Sequence, residues 1–188
     1  MLIVLGGTRK VETLPTEINE LILEFVNQDH KFYVGDAPGI DSAFQKFLFA
    51  LKVKNVTVFS SAERVRSNLG NWTEFQIESP VKSKSHARHS IKDRHMTSKA
   101  DLGIMVWDGQ SAGTLANVID LLEMKKECYL FNLVDRDLVK FDNEKKLEEY
   151  LTNFGQIRDE AHRRLNTFRN REKRIKTEFK SDKDFKLF

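Results

Sequence analysis

The chain has 188 residues, 40% hydrophobic and 31% charged, with a formal net charge of +3; one domain with a real core and a short appendage fits that length. No apolar run approaches the ~18 residues of a membrane span, and no basic segment followed by a cleavable apolar one opens the sequence, so no membrane partner is expected. A single cysteine, Cys128, excludes an intramolecular disulfide framework and points to a reducing, cytoplasmic setting.

Short apolar runs alternate with segments of helical period. Leu2–Leu5 reads as the first strand. Leu14-Pro15 opens a helix, since proline is tolerated in a first turn, and Ile18, Leu21, Ile22, Phe25 and Val26 form its apolar face. Lys31–Val34 is a second strand, and Ile40, Phe44, Phe47, Leu48 and Leu51 give the next helix its buried stripe. Asn55–Phe59, rich in β-branched residues, is a third strand. Ser60 to Lys84 has no clean period and reads as a long irregular insertion, followed by a mostly polar helix over Ser85–Lys99. Leu102–Trp107 is the fourth strand, Leu115, Val118, Ile119 and Leu122 mark another helix, and Cys128–Val134 is the fifth strand.

Helices between short buried strands imply right-handed βαβ crossovers. The expected fold is α/β: a doubly wound, mainly parallel five-stranded Rossmann-like sheet with helices on both faces over residues 1–135. Residues 136–188 are expected to form a charged helical extension. There a short helix covers Asn143–Asn153, with Gly155 as its stop signal. Beyond it runs a sparse stripe of Ile157, Ala161, Leu165, Phe168, Ile175 and Phe179, as in a long helix docked on a second subunit. A homodimer or higher homo-oligomer is therefore expected. Gln156–Phe188 holds eleven Lys/Arg against six Asp/Glu, whereas residues 1–155 are mildly acidic. The acidic body argues against a broad nucleic-acid face there, and any contact with a phosphate backbone is expected through the basic tail.

The chemistry concentrates at three strand ends. Gly6-Gly7-Thr8-Arg9 follows the first strand, and Gly35-Asp36-Ala37-Pro38-Gly39-Ile40-Asp41 the second. Asp108-Gly109-Gln110-Ser111-Ala112-Gly113-Thr114 follows the fourth. Glycine and small polar residues entering a helix expose backbone N–H groups and the positive end of its dipole, which suits a phosphate. Three such turns point to one ligand crevice at the carboxyl edge of a parallel sheet. Gly113 lets the backbone approach an anion, and Thr114 adds a hydroxyl. Asp36 and Asp41 suit ribose hydroxyls, although Asp41 equally suits the first turn of a helix. Arg9, Lys92 and Arg94 are candidate phosphate partners, or solvated surface cations. Trp107 is a candidate to stack on a base or a packed core residue, and Trp72 is placed for a lid. The set His86, His89, Asp93 and His95 invites a metal, but the strand-end glycines account for a site without one, so neither metal nor cofactor is expected.

These three junctions, with Asp93-Arg94-His95-Met96 before the fourth strand, resemble the SLOG superfamily over about residues 1–134. That Rossmann-like group includes the LOG (lonely guy) phosphoribohydrolases and DNA-processing single-strand-binding proteins. The resemblance implies a nucleotide-type ligand. It also implies roles by position: the LOG signature P-G-G-x-G-T-x-x-E, aligned on Gly113-Thr114, places its catalytic glutamate on Asn117. Gly109-Gln110-Ser111 replaces P-G-G, and the helix arginine falls on Lys92, with Arg94 two residues on. An asparagine cannot act as general base. The leading expectation is thus a protein that binds a nucleoside phosphate or NAD-derived nucleotide, as a sensor or a processing protein. The alternatives are an N-glycosidase, phosphoribohydrolase or deoxyribosyltransferase-like, using Asp36, Asp41 or Asp108 as a rearranged carboxylate, and a single-stranded DNA binder.

Overall fold

Apolar residues at every second position of β1 (Leu2–Gly7) enter different parts of the core, as the period of a strand requires. In the computed structural model, which describes residues 1–62, 64–77 and 86–178, Ile3 and Leu5 join a cluster with Ile18, Ile22, Phe44 and Leu48. These partners lie on α1 (Thr16–Asn27) and α2 (Ile40–Ala50). Val4 instead joins Met96 of α3 (His86–Lys99), Leu115 and Val118 of α4 (Ala112–Glu123) and Ala161 and Leu165 of α6 (Gly155–Glu178).

The chain is α/β, with one seven-stranded sheet. To β1 are added β2 (Lys31–Gly35), β3 (Val56–Ser60), β4 (Thr73–Gln76), β5 (Leu102–Trp107), β6 (Glu127–Asn132) and β7 (Asp137–Phe141). The order is β4-β3-β2-β1-β5-β6-β7, parallel throughout except for the antiparallel pair β6–β7. Leu5 lies beside Val34 on one side and Ile104 on the other. The chain builds outward from β1 to β4, then crosses back through α3 to start β5 on the opposite side of β1. That reversal parts the loops above β1 and β5 and opens a crevice at their carboxyl ends.

Two strands exceed the five legible in the sequence. β4 arises inside the stretch expected to be irregular; all four of its residues are exposed, so no alternation marks it, and pairing with the β3 edge defines it. Trp72, just before it, is no lid: it is buried, and its indole Nε1 donates to the Val53 carbonyl at 2.7 Å. β7 is a short edge strand after the turn at Arg136, returning antiparallel on β6. Residues 78–85 of the insertion lie outside the described residues.

After α5 (Glu144–Tyr150), capped by the Asn143 side chain, a 3-10 turn (Leu151–Phe154) leads straight into α6. Gly155 starts this helix and does not stop one; its φ of −51° and ψ of −45° are helical. The Ala161–Leu165 part of the stripe packs against α4 of the same chain. Its end beyond Glu178 lies outside the described residues. No helix among the described residues is long and apolar enough to cross a membrane.

Candidate functional site

The strand ends of β1, β2 and β5 enclose a crevice of about 570 Å³, within the range of small-molecule sites. Gly6, Gly7, Thr8 and Arg9 form one side, and Ser111, Gly113, Thr114 and Asn117 of the α4 entrance face it. Gly35 and Asp41 contribute from β2 and α2, and Lys92 and Arg94 from α3. Asp108 also lines the crevice, whereas Asp36 and Gly109 do not.

Asp108 is a builder of the crevice. Its Oδ2 accepts the Thr8 hydroxyl at 2.8 Å, and its Oδ1 accepts the backbone N–H groups of Gln110 (3.0 Å) and Ser111 (2.7 Å). One carboxylate thereby ties the loop after β1 to the loop after β5. Burial pushes its pKa up, but these hydrogen bonds, with Lys10 at 3.7 Å, prevail and hold it below the usual carboxylate range. The next residues start α4. Ser111 is the N-cap, its Oγ accepting the Thr114 N–H (3.3 Å) and hydroxyl (2.9 Å). The first-turn N–H groups of Ala112 and Gly113 have no intrahelical acceptor, because a helix begins with orphan donors.

Asp36 has a different place. Its carboxylate is buried and takes both guanidinium arms of Arg66, at 2.6 and 3.0 Å, the Arg66 backbone N–H and the Ser60 hydroxyl at 2.6 Å. Burial raises its pKa, yet these donors outweigh burial and bring it down to about 2. The role of Asp36 is to pin the β3–β4 connection to the end of β2.

Asp41 remains at the crevice and is almost fully buried. Its Oδ2 accepts the Ala37 N–H at 3.3 Å and lies 3.7 Å from the Lys92 ammonium. Burial pushes the Asp41 carboxyl up, opposed by Lys92 and assisted by Asp93. Burial disfavours the Lys92 charge as well, but Asp93, Asp41 and Asp36 hold it protonated. Gly35 makes room for this pair: a Cβ there would stand 2.1 Å from Asp41 Oδ2 and 2.4 Å from Lys92 Nζ. Gly39, with φ of +86°, lets the chain pass beneath Arg9; a Cβ on it would lie 2.5 Å from the Arg9 Cα.

Arg94 reaches the crevice wall with its guanidinium on Asp120, which also accepts the Thr97 hydroxyl at 2.5 Å. It therefore bridges α3 to α4. Trp107 is fully buried, its Nε1 donating to the Ser111 carbonyl at 3.1 Å and its ring set edge-on to Phe154, so it packs and does not meet a ligand. Burial pushes the Cys128 thiol far up, which leaves it inert. His95 stacks on Phe75, with ring centres 4.9 Å apart. The side chains of His86 and His89 lie outside the described residues. Among the described residues no group of His, Cys, Asp and Glu is arranged to hold a metal ion.

The sequence reading missed the wall supplied by α6. Glu160, Arg163 and Arg164 line the crevice opposite the α4 entrance. Glu160 pairs with Arg163 and accepts Arg164 Nε at 2.8 Å, so the two cations share one carboxylate. The only hint was the Arg-Arg step between Ala161 and Leu165; those apolar neighbours dock on α4 and carry the arginines to the crevice. Lys10 is a third missed cation, donating to the Gln110 side chain at 2.8 Å on the rim.

Fold and crevice together define a Rossmann-like α/β protein with its cleft at the topological switch point. Comparison of the sequence with protein-family models and with curated proteins finds no match.

Proposed function

We propose that the protein binds a nucleoside phosphate or NAD-derived nucleotide in this crevice, in the manner of the SLOG superfamily that its motifs resemble. The observation that carries the reading is the α4 N-terminus opening into a crevice rimmed by Arg9, Lys10, Arg163 and Arg164. Orphan N–H groups, a helix dipole and four cations, of which Arg163 and Arg164 share Glu160 and Lys10 lies 3.7 Å from Asp108, make an anion-attracting opening. Thermal denaturation against a panel of mono- and dinucleotides tests this directly. A ligand at about a hundred times its Kd stabilises the folded state by about 2.7 kcal/mol and raises Tm measurably. A folded, ligand-free protein that responds to no member of the panel would sink the proposal.

The binding reading stands above hydrolysis because of Asn117. It lines the crevice one turn after Gly113, and its amide can neither act as a general acid or base nor carry a charge to oppose an oxocarbenium-like centre. Of the three aspartates considered as substitutes, Asp36 is outside the crevice and Asp108 is saturated with donors; Asp41 alone is left. The expected result with purified protein is nucleotide binding without release of free base, measured by mass spectrometry. Turnover that disappears in Asp41→Asn would replace the binder with an N-glycosidase.

A further inference from the structure

Lys92 is the least expected group in the crevice. Its side chain is only 4% exposed, yet it lines the cavity, and no hydrogen bond to its ammonium is found among the described residues. The nearest carboxylate oxygens are Asp93 Oδ1 at 3.5 Å and Asp41 Oδ2 at 3.7 Å. An ammonium has three donors, and here they face the crevice, where a ligand can accept them. Asp41 has acceptor capacity to spare, since it accepts one N–H, at 3.3 Å, and the Asp93 carboxylate is partly exposed to the crevice. The ammonium and the two carboxylates thus stand in ion-pair range, 3.5 and 3.7 Å apart, without a direct hydrogen bond between them, and all three line the crevice.

The charges decide what fits between them. The one ammonium already faces two carboxyl groups, so it offers little to a second phosphate. An added cation would have to sit against Lys92. A neutral hydroxyl accepts from the ammonium and donates to a carboxylate through one atom, and adds no charge to a buried site. Two adjacent hydroxyls use all three side chains.

We propose that Asp41, Lys92 and Asp93 form a hydroxyl-binding subsite that engages the ribose diol of a ligand whose phosphate lies at the α4 N-terminus, so that the protein selects ribose over deoxyribose ligands. This rests on the nucleotide reading above. It makes the two ends of the crevice complementary to the two ends of a nucleoside phosphate: a positive rim for the anion and a mixed-charge floor for the sugar. Gly35, whose missing side chain leaves space for the Asp41–Lys92 pair, belongs to the same device.

Isothermal titration with inorganic phosphate, ribose 5-phosphate, 2-deoxyribose 5-phosphate and the four ribonucleoside 5′-monophosphates with their 2′-deoxy counterparts tests it. Wild type is expected to bind each ribose compound about tenfold tighter than its deoxy partner, the worth of one charge-assisted hydrogen bond. In Asp41→Asn and Lys92→Met that ratio falls toward one. The double variant Asp41→Asn/Lys92→Met removes both members of the buried pair, leaves only the partly exposed Asp93, which water can reach, and serves where a single variant fails to fold, with circular dichroism as the check. Phosphate and both sugar phosphates binding alike would overturn the subsite and leave the nucleotide reading intact. A ratio that persists in the folded double variant would also overturn it. No binding by any of these probes would overturn the subsite, and the dinucleotides of the thermal panel then decide the nucleotide reading separately.

Discussion

Gly113→Val is expected to weaken the binding of phosphorylated ligands severely while leaving the protein folded. Gly113 is in the first turn of α4, on the crevice wall, and a Cβ built on it meets only Arg164 Nη1, at an ordinary 3.6 Å. Alanine therefore fits. Valine carries two further methyl groups into the gap between the α4 entrance and the α6 arginines, the space an anion needs to reach the first-turn N–H groups. Losing those contacts and the approach to Arg164 is expected to weaken binding on the order of a hundredfold, or about 2.7 kcal/mol. Helix propensity does not oppose the change, since glycine is itself a poor helix former. Titration of phosphorylated ligands into wild type, Gly113→Ala and Gly113→Val separates the cases. A valine variant with wild-type affinity would mean the α4 entrance is not where the anion sits.

The second large effect is on stability and is asymmetric. Arg66→Ala is expected to destabilise by about 3–5 kcal/mol, because it leaves the wholly buried Asp36 carboxylate without its main partner. Asp36→Asn should cost less: Arg66 is 34% exposed, so its guanidinium can turn to water. The pH dependence follows from Asp36 being held at about 2, below its ordinary 3.8. A depressed native pKa gives stability that is present above the unfolded value and is lost as pH falls from about 3.8 toward about 2. Without Arg66, burial acts with less opposition, Asp36 takes up its proton at higher pH, and the gap between wild type and Arg66→Ala narrows on acidification. Urea unfolding at about pH 7, 5 and 3 checks both statements. Equal losses for the two variants, or a gap that widens in acid, would remove the buried-pair account.

What the sequence determined on its own was local. Glycine and small polar residues after Leu2–Leu5, Lys31–Val34 and Leu102–Trp107 marked three strand ends, and the helical stripes between them implied crossovers. These signals are carried by neighbouring residues, so they survive without knowledge of the fold. Most of the crevice lining followed, because a parallel sheet brings such ends to one edge. The tertiary structure decided everything that depends on distant partners. β4 has no pattern of its own and exists by pairing with β3. Asp36 looked like a ligand contact until Arg66, thirty positions on, took its carboxylate. Asp41 and Lys92 meet because α2 and α3 converge over Gly35, and Arg163 and Arg164 enter the site because α6 folds back onto α4. Charged side chains carry no record of whether water or a partner will surround them; only packing assigns that, and with it the division between residues that hold the crevice together and those that face its open space.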